Sequence, residues 1–266
     1  MYRKFYSLRE NPFNVTSDPS YFFSSSKHGE AFSHLVYGIE QRKGILLITG
    51  EIGTGKTTLC RTLLNHLDSK TKTAFILYPN FSELQLLQLI IKDLGISTQT
   101  KNKAALINAL NEFLLSETSH GHNVVLIIDE AQNLKESQLE QIRLLSNLET
   151  EKEKLLQIIL VGQPELMDKL KLPSLRQLNQ RIAVRYHILG LDKIELQDYI
   201  HHRLKIAGAV NNLNFTKEAI EEIYLYSGGT PRLINIICDR ALLAGYVLET
   251  FNIDYNVIKK CIEEVR

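Results

Sequence analysis

Eight consecutive residues, Gly50-Glu51-Ile52-Gly53-Thr54-Gly55-Lys56-Thr57, match the pattern G-x-x-x-x-G-K-[ST]. Glycines at 50, 53 and 55 let the backbone turn tightly enough for several N–H groups to point inward at phosphate oxygens. A helix opening near Lys56 adds the positive end of its dipole, Lys56 reaches toward β- and γ-phosphates, and the Thr57 hydroxyl is placed to hold Mg²⁺. A glycine-rich turn can also do no more than join a strand to a helix. Here an apolar run, Ile45-Leu46-Leu47-Ile48-Thr49, precedes the motif and Thr58-Leu59-Cys60-Arg61 follows it as a plausible helix, which is the context a phosphate cradle requires.

A second group of residues suits hydrolysis. Asp129 follows the apolar run Val124-Val125-Leu126-Ile127-Ile128, which puts a carboxylate at the carboxyl edge of a sheet, where it holds Mg²⁺ directly or through water. Glu130 beside it can orient and polarise an attacking water. An acidic pair after a strand also serves as a helix N-cap, and only the cradle upstream gives this pair its chemical reading. Gln163, just past a fourth apolar run, would bring its amide toward the γ-phosphate and the water; its alternative is a turn residue before Pro164. Arg176 and Arg181 are either solvated surface charges or cations offered to a neighbouring subunit's γ-phosphate. Gly228-Gly229-Thr230-Pro231-Arg232 opens a later helix, with Pro231 at a natural first position. A cation in the first turn works against the helix dipole, so Arg232 is read as serving a nearby anion. His201 and His202 are adjacent and cannot form a metal pair on a helix, and His28, His120 and His122 have no partner that spacing reveals.

The elements that must position these groups alternate. Strands are expected at Ile45–Thr49, Ala74–Tyr78, Val124–Ile128, Ile158–Val161 and Ala183–Ile188. Helices are expected at about 28–41, from Lys56, and at about 82–94, 103–117 and 136–149. Such alternation indicates a parallel α/β sheet whose ligands bind at the carboxyl ends of the strands. Residues 1–43 read as an irregular aromatic arm and a helix packing on the core, 44–190 as the core, and 191–266 as a helical domain with helices at 193–207, 216–226, 231–247 and 254–264.

The composition is that of an ordinary globular chain: 266 residues, 44% hydrophobic, 23% charged, net charge +1. Bulk charge therefore gives no argument for nucleic acid or membrane as a partner. Three cysteines, far apart and in no C-x-x-C arrangement, argue against a disulfide framework or zinc site and fit a reducing cytoplasm. No apolar run approaches the roughly 20 residues needed to cross a bilayer.

Taken in order, these residues resemble the AAA+ ATPases. Gly50–Thr57 is similar to a Walker A motif, Val124–Glu130 to a Walker B, Gln163 to a sensor on the fourth strand, Arg176 and Arg181 to arginine-finger positions, and Gly229–Arg232 to sensor 2. Phe5-Tyr6-Ser7-Leu8, Asn11-Pro12-Phe13, Asp18-Pro19, His28, Ala31, Leu35 and Tyr37-Gly38-Ile39, with Leu160–Leu166, resemble the ExeA/GspA (general secretion pathway protein A) and MshM-like branch. The resemblance implies a P-loop AAA+ core with a parallel five-stranded sheet followed by an all-helical lid domain. It also implies ATP and Mg²⁺, a cradle of Gly50, Glu51, Ile52, Gly53, Thr54, Gly55, Lys56, Thr57 and Thr58, and a homo-oligomer with Arg181, ahead of Arg176, as the finger. The partner it implies is a protein of a secretion, pilus or exopolysaccharide machine, with the chain in the cytoplasm or peripheral at the inner membrane. A transposition-type regulator resembling MuB and TnsC, bound to double-stranded DNA, is the alternative.

Overall fold

A computed structural model describes residues 1–79, 81–209 and 212–265. The chain divides into two compact units. One comprises Gly29–Ile52 and Cys60–Ile188, and the other Met1–His28, Gly53–Leu59 and Leu189–Arg266.

The first unit is built on five parallel strands, β1 (Ile45–Gly50), β2 (Thr71–Ile76), β3 (Asn123–Ile128), β4 (Gln157–Gly162) and β5 (Ile182–Ile188), in the order β2-β3-β4-β1-β5. Every residue of β1 and β4 is buried, as expected of central strands covered on both faces. β2 lies at the edge, and its first three residues, Thr71-Lys72-Thr73, are only half-buried. This is why the strand begins three residues earlier than its apolar run, Ala74–Tyr78, predicts and stops at Ile76. The carboxylate of Asp93 accepts from the Phe75 N–H at 2.6 Å, which occupies a donor that an open sheet edge would expose. Leu86, Leu87, Ile90 and Ile91 of the helix Glu83–Asp93 are all buried and share one core cluster with β1 and β3. That helix opens with a capping box between Ser82 and Gln85. The helix expected at 136–149 ends at Leu145, and Pro164–Leu170 and Arg176–Arg181 form helices too short for a periodic pattern to reveal.

The second unit packs helices Lys193–Ile206, Lys217–Ser227, Pro231–Val247 and Tyr255–Val265 around a separate core. Tyr6, Leu8 and Phe13 of the aromatic arm lie inside that core, so Met1–His28 groups with the C-terminal helices, whereas the sequence expectation joined the whole of 1–43 to the ATPase core. Arg203 fastens the arm. The residue is 5% exposed, and its guanidinium donates to the carbonyls of Pro12 and Asn14 and to the Tyr199 hydroxyl and stacks 4.6 Å from the centre of the Tyr21 ring. The unit is not wholly helical, because Asn214–Phe215 and Asn252–Ile253 form a two-residue parallel pair where two interhelical loops meet. Cys60, Cys238 and Cys261 are buried free thiols that pack as small core residues.

Candidate active site

β1 ends at Gly50, the first residue of the phosphate-loop motif, and Gly53–Leu59 groups with the helical unit. Within the helical unit, Gly53 and Gly55 take φ values of +83° and +93°, the left-handed conformations that the motif's glycines supply. Lys56 is the first residue of the helix Lys56–His66 and is buried. Loop amides, a helix N-terminus and a lysine at its start together suit a polyphosphate.

Arg232 lies against this loop. Its N–H donates to the Gly53 carbonyl at 3.2 Å, and a Cβ at residue 53 would stand 2.5 Å from the Arg232 Cβ. Pro231, which has no N–H to place, begins the helix one residue earlier.

His28 also meets the loop, a contact that sequence reasoning missed. Its Nε2 is 2.8 Å from the Thr54 carbonyl and its Nδ1 is 2.7 Å from the Ser25 hydroxyl. Burial holds its pKa below the ordinary histidine value, against the upward pull of the Thr54 carbonyl and Glu195. Glu195 in turn accepts from the Ser26 N–H and hydroxyl at 2.8 and 2.6 Å. Burial pushes its carboxyl up, but the Ser26 hydroxyl and the amides of Asp192 and Ser26 hold it below its usual value.

On the sheet unit, the carboxyl ends of β3 and β4 gather the other predicted groups. The Asp129 N–H continues the ladder by donating to the Ile76 carbonyl at 2.8 Å, and its buried carboxylate accepts from the Glu130 N–H at 2.9 Å. Glu130 sits at φ 52° and ψ 36°, a left-handed conformation uncommon for a residue with a side chain. Two amides donate to its Oε2, that of Gln132 and that of Gln163, the latter at 3.3 Å. The Gln132 Oε1 accepts from the Gln163 N–H at 3.1 Å, so one glutamine side chain ties the two strand ends together. Gly162 permits this closeness, since a Cβ there would lie 2.8 Å from Gln132 Oε1. Lys169 holds the turn from below through the carbonyls of Gln132 and Leu134, at 2.6 and 2.8 Å. Gln132 and Lys169 were not singled out from sequence; the only signal was the position of Gln132, two residues after Glu130.

Arg176 and Arg181, both exposed, open and close one short helix and do not join this group. Arg181 immediately precedes β5 and so lies at the amino edge of the sheet, lining a cleft of about 370 Å³ with Lys43, Gly44, Ile45, Ser146, Glu149 and Lys154. Strands of six and seven residues, on the order of 20 Å long, separate that edge from Asp129, Glu130 and Gln163.

Chemically, the sheet edge presents a carboxylate suited to a hard cation and a second carboxylate, oriented by amides, suited to polarising water. The Thr57 hydroxyl and the Asp129 carboxylate are the oxygen donors that Mg²⁺ prefers.

Known proteins resemble this chain in sequence and in fold. The profile of a family described as an AAA domain matches residues 39–170. Over all 266 residues the chain is 43% identical to general secretion pathway protein A of Aeromonas hydrophila, and it spans 48% of that protein's length. Among solved structures, the ORC2 protein of Aeropyrum pernix matches with a TM-score of 0.67 at 17% identity, covering 96% of this chain and 71% of that one. Cdc6p of Pyrobaculum aerophilum matches at 0.68 and 17% identity, covering 93% and 71%. The RuvB branch migration motor of Thermotoga maritima matches at 0.59 and 18%, covering 91% and 70%. At such identities these structures speak for the fold alone. Among the described residues no helix is long and apolar enough to cross a membrane.

Proposed function

Because the chain belongs to the AAA+ P-loop ATPases of the general secretion pathway family, we propose that it binds ATP at Gly50–Thr58 and hydrolyses it to drive a secretion, pilus or exopolysaccharide machine. The observation that carries the catalytic reading is Glu130, next to Asp129, with its carboxylate held by Gln132 and Gln163. Lys56 would hold the negative charge of the β- and γ-phosphates, and Thr57 and Asp129 would hold Mg²⁺, which would neutralise phosphate charge. Glu130 takes up the proton of the attacking water, while Gln163 keeps its carboxylate aimed. Arg232 senses the nucleotide from the helical lid, residues 191–266.

Arg181, with Arg176 as the second choice, acts on a neighbour's nucleotide in a homo-oligomer. Its place at the amino edge of the sheet supports this, since a protomer whose carboxylates sit at the carboxyl edge has no use there for its own Arg181. Lid movement then couples nucleotide state to a protein partner. We place this work in the cytoplasm, peripheral to the inner membrane. The DNA-bound transposition-type alternative is less favoured by a resemblance to a secretion protein over all 266 residues of this chain.

The test is ATP turnover by purified protein across a concentration series, with and without double-stranded DNA at low and moderate salt. A rate per subunit that rises with protein concentration, ignores DNA and vanishes in Lys56→Ala supports the proposal. Turnover that survives Lys56→Ala overturns it. Stimulation by DNA with a steep salt dependence moves the reading to the transposition-type alternative.

A further inference from the structure

We infer that His28 is a positioning residue for the phosphate loop, setting the orientation of the Thr54–Gly55 peptide through a hydrogen bond from its Nε2 to the Thr54 carbonyl. The inference rests on the reading of Gly50–Thr58 as the phosphate cradle.

Both ring nitrogens are committed. A carbonyl oxygen accepts only, so the bond of 2.8 Å to Thr54 requires the proton on Nε2. Nδ1 then accepts from the Ser25 hydroxyl at 2.7 Å. The same Ser25 oxygen accepts from the His28 N–H at 3.3 Å, in the manner of a cap at the start of the helix Ser26–Glu40. Ring tautomer, ring rotation and helix start are thus fixed by one hydroxyl that is itself 3% exposed, and His28 is 4% exposed. Burial favours the neutral ring that this arrangement needs.

The effect on the loop follows from peptide geometry. In a planar trans peptide the C=O and N–H bonds point in opposite directions. Anchoring the Thr54 carbonyl on His28 therefore aims the Gly55 N–H directly away from His28. The ring also explains why residue 55 carries no side chain, since a Cβ there would stand 3.2 Å from Nε2 in addition to straining a backbone at φ +93°. Gly53 is held on its other side by the Arg232 N–H. With Thr54 anchored as well, two consecutive peptides of the loop are oriented before any nucleotide arrives, which lowers the ordering cost of binding.

The segment that carries His28 is tied to the helix Lys193–Ile206. Glu195 completes a capping box with Asp192 at the start of that helix and also receives both Ser26 donors. A shift of that helix pulls on Ser26, two residues from His28, so the loop peptide and the helical domain share one short mechanical link.

The experiment measures ADP binding by titration calorimetry on the full chain. His28→Leu keeps bulk without a donor, and His28→Gln keeps bulk with an amide donor near the place of Nε2. The expected result is ADP binding about tenfold weaker in His28→Leu, the scale of one lost hydrogen bond, and recovery to within about threefold of wild type in His28→Gln. The KM for ATP rises with the Kd in His28→Leu while kcat stays nearly constant, because the bond acts on ground and transition states alike. Equal affinities in the Leu and Gln variants, whether both weak or both normal, overturn the inference, since a packing role does not distinguish them. If His28→Leu fails to fold, Ser25→Ala reads the same link through the lost tautomer anchor, and unchanged ADP affinity there overturns the inference. Lys56→Ala separates the two readings. Normal ADP binding in that variant sinks the cradle itself, whereas weak binding there with full affinity in His28→Leu removes only the role of His28.

Discussion

Replacing Gly53 with alanine tests the contact between the phosphate loop and the lid helix through a single methyl group. At φ +83° the new side chain meets a left-handed backbone, which costs about 1 kcal/mol. The Cβ also arrives 2.5 Å from the Arg232 Cβ, with the Arg232 Cδ at 3.2 Å and the Thr230 Cγ2 at 3.3 Å. Carbon atoms in contact sit about 3.5–4.0 Å apart, so the closest approach is short by about an ångström. The Arg232 Cβ is fixed to the backbone and cannot swing aside as a side-chain tip would. Overpacking of this kind costs about 1–3 kcal/mol, which brings the total to about 2–4 kcal/mol. In the free protein the loop relaxes away from Arg232, and nucleotide binding then has to restore the cradle. At 1.4 kcal/mol per tenfold, ADP should bind between about thirtyfold and about a thousandfold more weakly, measured by calorimetry or a fluorescent ADP analogue. Gly95→Ala is the control, because Gly95 has φ +76° but nothing within 4 Å. It should lose about 1 kcal/mol of stability in urea and keep its ADP affinity. ADP binding by Gly53→Ala within about threefold of wild type refutes the argument.

Glu130→Gln should retain ATP, trapped by filter binding, while turnover falls by on the order of a hundredfold or more, because an amide cannot take a proton from water; turnover near wild type contradicts the assigned role. Arg181→Ala subunits mixed with Lys56→Ala subunits should regain turnover at interfaces that pair an intact loop with an intact arginine, and mixed oligomers that stay inactive count against transfer across the interface. Arg203→Met strands the Pro12 and Asn14 carbonyls, so it should lower the urea midpoint of the helical unit by the equivalent of about 2–4 kcal/mol and speed proteolysis within Met1–His28; unchanged proteolysis would show that the arm is held elsewhere. His28 and His202 are each held below the ordinary value of 6.5, by burial first. The unfolded chain therefore binds more protons as pH falls below about 6.5, and the contribution of these histidines, complete above that value, is lost progressively toward their folded pKa values. The urea midpoint should be lower at about pH 5.5 than at about pH 7.5, with a smaller drop in a His28→Gln, His202→Gln double variant, and a midpoint that rises on acidification would reverse the sign of this reasoning.

Residues that carry their meaning in side-chain type and spacing were legible. Lys56, Thr57, Asp129 and Glu130 could be assigned roles because a motif or an adjacent apolar run marks them. β1, β3 and β4 could be read because strands buried on both faces are continuously apolar. β2 was misaligned because an edge strand half-exposes one end, so its polar residues read as loop. The helices Pro164–Leu170 and Arg176–Arg181 run for two turns or less, below what a period of 3.6 can show. His28 was set aside for a different reason. Its partner is a backbone carbonyl 26 residues away, and a carbonyl leaves no trace in residue identity. Gln132 was missed likewise, since its contact with the Gln163 N–H exists only once β3 and β4 pair. The grouping of the arm with the C-terminal helices was hidden because aromatic residues declare that they will be buried and not where.

The strand order also sets a schedule for synthesis. β1 pairs with β4 and β5, which lie more than a hundred residues downstream, so the phosphate-loop strand leaves the ribosome long before either neighbour exists. The arm waits longer still, because the core that receives Tyr6, Leu8 and Phe13 is made by helices that begin at Lys193. At translation rates of about 5–20 residues per second this interval is on the order of ten seconds or more, with the aromatic arm exposed throughout. A fold that buries Tyr6, Leu8 and Phe13 among helices beginning at Lys193 leaves those rings without their core until the helices emerge.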